Sequence, residues 1–111
     1  MKLPNVDQAL VPEAKITRYL LDLTSPKGKS KAVFFRAFGF TIEQWQMMAD
    51  ALKQHAAAYE VASTEADEHG TRYVIEGALN TPDGRNPQVR AVWIIREDET
   101  EPSFVSAYPL K

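Results

Sequence analysis

The sequence predicts an α+β domain, with about three N-terminal helices packed on one face of a four-stranded antiparallel meander sheet. Three observations carry this expectation. Apolar residues recur at helical spacing only in the first half of the chain, up to Ala57. From Tyr59 onward the pattern changes to alternation, with turn signals about every dozen residues. A length of 111 residues with 44% hydrophobic residues is enough to bury one core and leaves no room for a second, so residues 1–111 read as one domain.

Residues 1–11 contain two prolines and no period, and read as an extended arm. The helical part spans 12–57. Its first helix, "PEAKITRYLLDL", sets Ile16, Tyr19, Leu20 and Leu23 at helical spacing behind Pro12 and Glu13, which suit a first turn. Pro26 ends it, because the residue before a proline avoids helical geometry, and Gly28 adds backbone freedom. A short second helix is expected from Lys29 or Ser30 to Phe38, with Ala32, Phe35 and either Phe34 or Phe38 inward and Gly39 as its left-handed stop. Thr41 with Gln44 fits a capping box, and Phe40 with Trp45 a hydrophobic staple, so a third helix is predicted from Ile42 to Ala57.

The sheet part spans 58–111. Its strands are "YEVASTEA", "TRYVIEGAL", "PQVRAVWIIRE" and "SFVSAYPL", joined by "DEHG", "NTPDGRN" and an acidic "DETEP" loop. Alternation on the third strand offers two faces. Val89, Ala91, Trp93 and Ile95 form the set expected to meet the helices, and Arg90, Val92, Ile94 and Arg96 the set turned away.

Composition narrows the chemistry. There is no cysteine, hence no disulfide or thiolate, and the two histidines, His55 and His69, match no metal-binding spacing, so no metal or cofactor is expected. No apolar run of about 18 residues is present to cross a bilayer, and prolines and acids interrupt the N-terminus where a signal peptide needs an apolar stretch. A cytoplasmic protein without membrane contact is expected. The net charge of -2 conceals an asymmetry: residues 1–40 hold seven Lys/Arg against three Asp/Glu, and residues 41–111 hold six against twelve. The basic excess centres on "SPKGKSKAVFFRAFGF", residues 25–40.

Gly28-Lys29-Ser30 spells the end of a nucleotide-binding loop, but Leu23 stands where that motif needs its first glycine, and a helix precedes it where a strand is required. What remains is a helix start flanked by Lys27, Lys29 and Lys31, which suits a phosphate or carboxylate, with solvated lysines as the plainer alternative. His55, near the end of helix three, is a candidate general base or an ordinary neighbour of the core. Ser106 and Tyr108 share one face of the last strand, where their hydroxyls can serve one cleft or simply form a half-buried pair. Trp45 and Trp93 read as core.

"LPN", "YLL", "PKGKSKAVFFRAFGF", "RYVIEG", "PDGR", "VRAVWII" and "SAYPL" together resemble an uncharacterised bacterial family, a domain of unknown function. The most specific part is Gly28, Lys31, Ala32, Phe35, Gly39 and Phe40. The resemblance implies small free-standing proteins, often beside a small antitoxin gene, and C-terminal modules of polymorphic toxins. It therefore implies a toxin-like role with an antitoxin or immunity-like partner. The order of helices before antiparallel strands is also similar to the barnase and RelE-like ribonuclease group. By that analogy RNA is a substrate for metal-independent cleavage, Lys31 and Arg90 are the cations, and His55, Ser106 or Tyr108 handle protons. Many members carry His-Pro where this chain has Ser25-Pro26, so a role for that histidine does not operate here. The competing expectation is a non-enzymatic module that docks a partner through its free sheet face or basic helix start.

Overall fold

The computed structural model describes residues 1–110. Helices come first and strands second. A 3-10 turn at Val6–Gln8 leads to α1 (Glu13–Lys15), which continues as a π-helical turn over Ile16–Leu20, then α2 (Lys29–Ala37) and α3 (Trp45–Ala58). The strands β1 (Val61–Asp67), β2 (Gly70–Ala78), β3 (Gln88–Arg96) and β4 (Ser103–Pro109) pair in chain order, each antiparallel to the next. This is the α+β meander that the change of period predicts.

One face of the sheet carries the core. Ile75, Val89, Ala91, Trp93, Phe104 and Ala107 are buried with Ile16, Leu20, Phe35, Met48 and Leu52 from the helical layer. Trp93 meets Phe104 edge-to-face with ring centroids 5.4 Å apart. Arg90 and Val92 face the other way, as the preferred alternation requires. The pattern lapses at the end of β3, where Ile94 is buried and Ile95 only half-buried. Beside it the β3–β4 register slips between Val92 and Trp93, with Val105 as the extra residue on β4, while β3 itself stays in regular register with β2.

The arm is held at both ends. The Val61 amide donates to the Met1 carbonyl, and Leu10 forms a parallel bridge to Ser103, with the Phe104 amide donating to the Leu10 carbonyl. Leu3 and Ala9 thereby join the core.

Two local expectations are corrected. Helix one does not run regularly to Leu23: the Leu21 amide donates to the Ile16 carbonyl at 2.9 Å, five residues back, and this wider winding buries Leu20 and Leu21 together while Leu23 is exposed. The Gln44 amide does donate to the Thr41 hydroxyl, yet α3 begins only at Trp45, because Gln44 lies at φ -116°, ψ 45°, outside helical geometry. Gly39 and Gly84 have the positive φ that their turns need. Gly28 does not; its φ is -105°, and it is glycine for a different reason.

Candidate functional site

The outer face of the sheet, opposite the helices, takes every second residue of β2, β3 and β4. Register sets Glu76 against Arg90 and Arg90 against Tyr108, with Val74, Val92 and Ser106 forming the neighbouring row. Arg90 donates from Nε to Glu76 Oε2 at 2.6 Å, and its Nη2 lies 2.6 Å from the same oxygen. Its guanidinium carbon is 5.6 Å from the Tyr108 ring centroid. The Tyr108 hydroxyl and the Glu76 carboxylate raise the guanidinium above its ordinary value, so it stays charged. Glu76, Arg90 and Tyr108 thus form one cross-strand row with an acid, a cation and a hydroxyl.

Ser106 links this row to the helical layer. Its hydroxyl lies 3.0 Å from the Tyr19 hydroxyl, across 87 positions of sequence. Tyr19 sits on the π turn, and two ammonium groups lie near its ring: Lys31 Nζ at 5.6 Å and Lys15 Nζ at 5.8 Å from the centroid. Lys31 belongs to the first turn of α2, which Ala32 and Phe35 anchor in the core. The helix start is drawn against Tyr19 because Gly28 has no side chain. A Cβ there would run into the Tyr19 carbonyl oxygen and lie 3.0 Å from the Tyr19 ring. Polar contacts thus run from Lys31 through Tyr19 to Ser106, and from Tyr108 through Arg90 to Glu76, with Ser106 and Tyr108 two residues apart on β4.

The other residues singled out from sequence lie elsewhere. Lys27 and Lys29 are exposed, and the turn amides beside them are already used: the Gly28 amide donates to Ser25 Oγ and the Lys29 amide to the Ser25 carbonyl. Ser25 itself acts as a local cap. His69 is exposed in the β1–β2 turn.

His55 is buried in α3 on the helix side, away from Arg90. Its Nε2 lies 3.1 Å from the carbonyl oxygens of Gly77 and Val89, so this nitrogen carries the hydrogen and donates to them. Nδ1 has no partner among the described residues. Burial holds the imidazole below its ordinary value, against the smaller opposing effect of the two carbonyls. The unfolded chain therefore takes up the proton first as pH falls. The stability contribution of neutral His55 is complete above about pH 6.5 and is lost progressively below it, toward the lower folded value. Urea unfolding at about pH 7.5 and 5.5 should show a lower midpoint at the acidic pH, and His55→Gln should reduce that difference. An unchanged difference would remove His55 as its source.

Two residues of these contacts, Tyr19 and Glu76, are not among the candidates that the sequence singles out. Tyr19 looks like a helix position facing the core, and nothing in the sequence links it to Ser106. Glu76 was legible in principle, since a hairpin centred on Pro82–Gly84 places it opposite Arg90. Among the described residues no group of three or more His, Asp or Glu is placed to hold a metal ion, and no helix is long and apolar enough to cross a membrane.

A family model described as a domain of unknown function (DUF6883) matches residues 2–111. Among solved structures, the chain is similar to one in a contact-dependent growth inhibition toxin–immunity protein complex from Klebsiella pneumoniae 342, with a TM-score of 0.71 and 15% identity. That match covers 90% of this chain and 98% of the other, and at this identity it speaks for the fold. Curated proteins yield no match.

Proposed function

This chain belongs to the DUF6883 domain family, and from that premise we propose that it is a toxin-like domain of a bacterial toxin–immunity system that cleaves RNA without a metal. The observation that carries the reading is the outer-face row of Glu76, Arg90 and Tyr108, continued by Ser106. The likeness to a chain of a toxin–immunity complex supports the setting, with an immunity-like protein as the partner.

An RNA strand laid over this face brings a phosphodiester to Arg90. Glu76 takes the proton of the 2'-hydroxyl, and the 2'-oxygen attacks phosphorus. A 2',3'-cyclic phosphate forms as the bond to O5' breaks, and the Tyr108 hydroxyl returns a proton to O5'. Arg90 and Lys31 stabilise the charge that grows on the phosphoryl oxygens. Ser106 orients the strand. His55, buried on the far side of the sheet, is left out of this scheme.

Purified protein is incubated with total RNA in excess chelator. Cleavage to cyclic-phosphate ends is expected, with a loss of about 10²-fold or more for Glu76→Gln and for Tyr108→Phe. Intact RNA, or variants as active as wild type, would remove the ribonuclease reading. A non-enzymatic docking face is the second reading, favoured by the half-buried Val74 and Val92 beside the charged row. In that case RNA stays intact, and substitutions at Val74 and Val92 weaken binding of the partner.

A further inference from the structure

His55 takes no part in the proposed proton transfers, yet it reaches the main chain directly behind the Glu76–Arg90 pair. Register sets Gly77 against Val89 in the row next to that pair, and both are buried on the side that meets the helices. Gly77 follows Glu76, and the Val89 carbonyl belongs to the peptide unit that supplies the Arg90 nitrogen. The His55 Nε2–H is shared between the carbonyls of Gly77 and Val89, 3.1 Å from each, so one donor holds a strand on either side.

The end of α3 comes close enough for this reach because Gly77 has no side chain. A Cβ there would run into the Tyr59 ring, which in turn packs against the imidazole with ring centroids 5.4 Å apart. Filling space alone does not call for an imidazole here: burying it costs free energy, and its Nδ1 has no partner among the described residues. An apolar side chain would fill the space without that cost, but would lack the N–H between the strands.

The Glu76–Arg90 pair spans the same two strands. Its 2.6 Å bond depends on their local spacing and twist, and a displacement of about 1 Å at such a group can cost about 10²-fold in rate. Ladder bonds join the strands within the sheet; His55 adds a tie to the helix. We propose that His55 is a positioning residue: its Nε2–H fastens β2 and β3 to α3 at the Gly77–Val89 row and so sets the geometry in which Arg90 meets Glu76 on the opposite face. The effect on rate rests on the ribonuclease reading, whereas the effect on the ion pair stands apart from it.

Two NMR measurements on the intact chain test this without RNA. In wild type the imidazole nitrogen signals of His55 should show the neutral Nε2–H tautomer; the Nδ1–H tautomer would leave the carbonyls without a donor and overturn the proposal. The Arg90 Nε–H signal, assigned by its loss in Arg90→Lys, reports the bond to Glu76 through its exchange with water. His55→Leu should speed that exchange about threefold or more, and His55→Gln, which keeps an N–H donor, should restore most of the protection. Leu52→Val, a core change on the same helix, should leave it unchanged. Equal exchange in His55→Leu and wild type, or an equal rise in Leu52→Val, removes the positioning role. In RNA cleavage, kcat should fall about tenfold or more in His55→Leu with KM nearly unchanged. An altered Arg90 signal in a protein that leaves RNA intact upholds the positioning while the ribonuclease reading falls. Wild-type cleavage by a His55→Leu chain with an unaltered signal does the reverse.

Discussion

Under the proposed mechanism, Arg90→Ala should lower RNA cleavage by about 10²–10³-fold, the usual consequence of removing one preorganised group that stabilises transition-state charge. Folding stability should hardly change. Arg90 and Glu76 are both more than a third exposed, at 38% and 36%, and solvent screening leaves such a pair little weight in folding stability. The substitution therefore separates chemistry from scaffold. Arg90→Lys keeps a charge but loses the planar fork, which contacts Glu76 and which the proposed mechanism also needs for a phosphate, and should recover only part of the rate. Single-turnover cleavage of a defined RNA, beside thermal unfolding of each variant, measures both quantities. An Arg90→Ala protein that cuts at the wild-type rate would take the outer face out of the mechanism.

Gly28→Ala should destabilise the fold by about 1–3 kcal/mol through overpacking alone. At φ -105° an alanine backbone is unstrained, so the penalty comes from the contact. The added methyl meets the main chain of Tyr19, which cannot swing aside as a side-chain tip does. Relief requires α2 to move from the π turn, which separates Lys31 from the Tyr19 ring and shifts the Tyr19 hydroxyl from Ser106. Stability and activity should fall together. Gly84→Ala is the contrasting case. Its φ of 79° is strained for alanine, but open space surrounds the site, so it should cost about 1 kcal/mol and leave activity unchanged. Urea denaturation ranks the two variants; equal stability of Gly28→Ala and wild type would refute the close approach as the reason for this glycine.

The glycine that the family pattern marks is thus a packing device. Read along the chain, Gly28 suggests a loosened turn after Pro26; in three dimensions it is the point where two helical segments touch. Ser25 changes in the same way. Where the resemblance implies a histidine in many relatives, this chain has a hydroxyl that accepts from the Gly28 amide. The lysines around it divide accordingly: Lys31 reaches the Tyr19 ring, and Lys27 and Lys29 remain exposed.

The order of elements and the meander follow from the sequence itself, because period and turn chemistry are local; alternation on β3 defines two faces, and packing against the helices chose the one with Val89, Ala91 and Trp93. Thr41 and Gln44 show how far that reaches: their hydrogen bond forms as the sequence predicts, but the first regular turn starts later, at Trp45. Tertiary structure alone decided the rest. It wound the first helix as a π turn so that both Leu20 and Leu21 could be buried, placed His55 beneath the sheet rather than in a cleft, and joined Tyr19 to Ser106. Each depends on how layers far apart in sequence fit together, and such contacts leave no periodic trace along the chain.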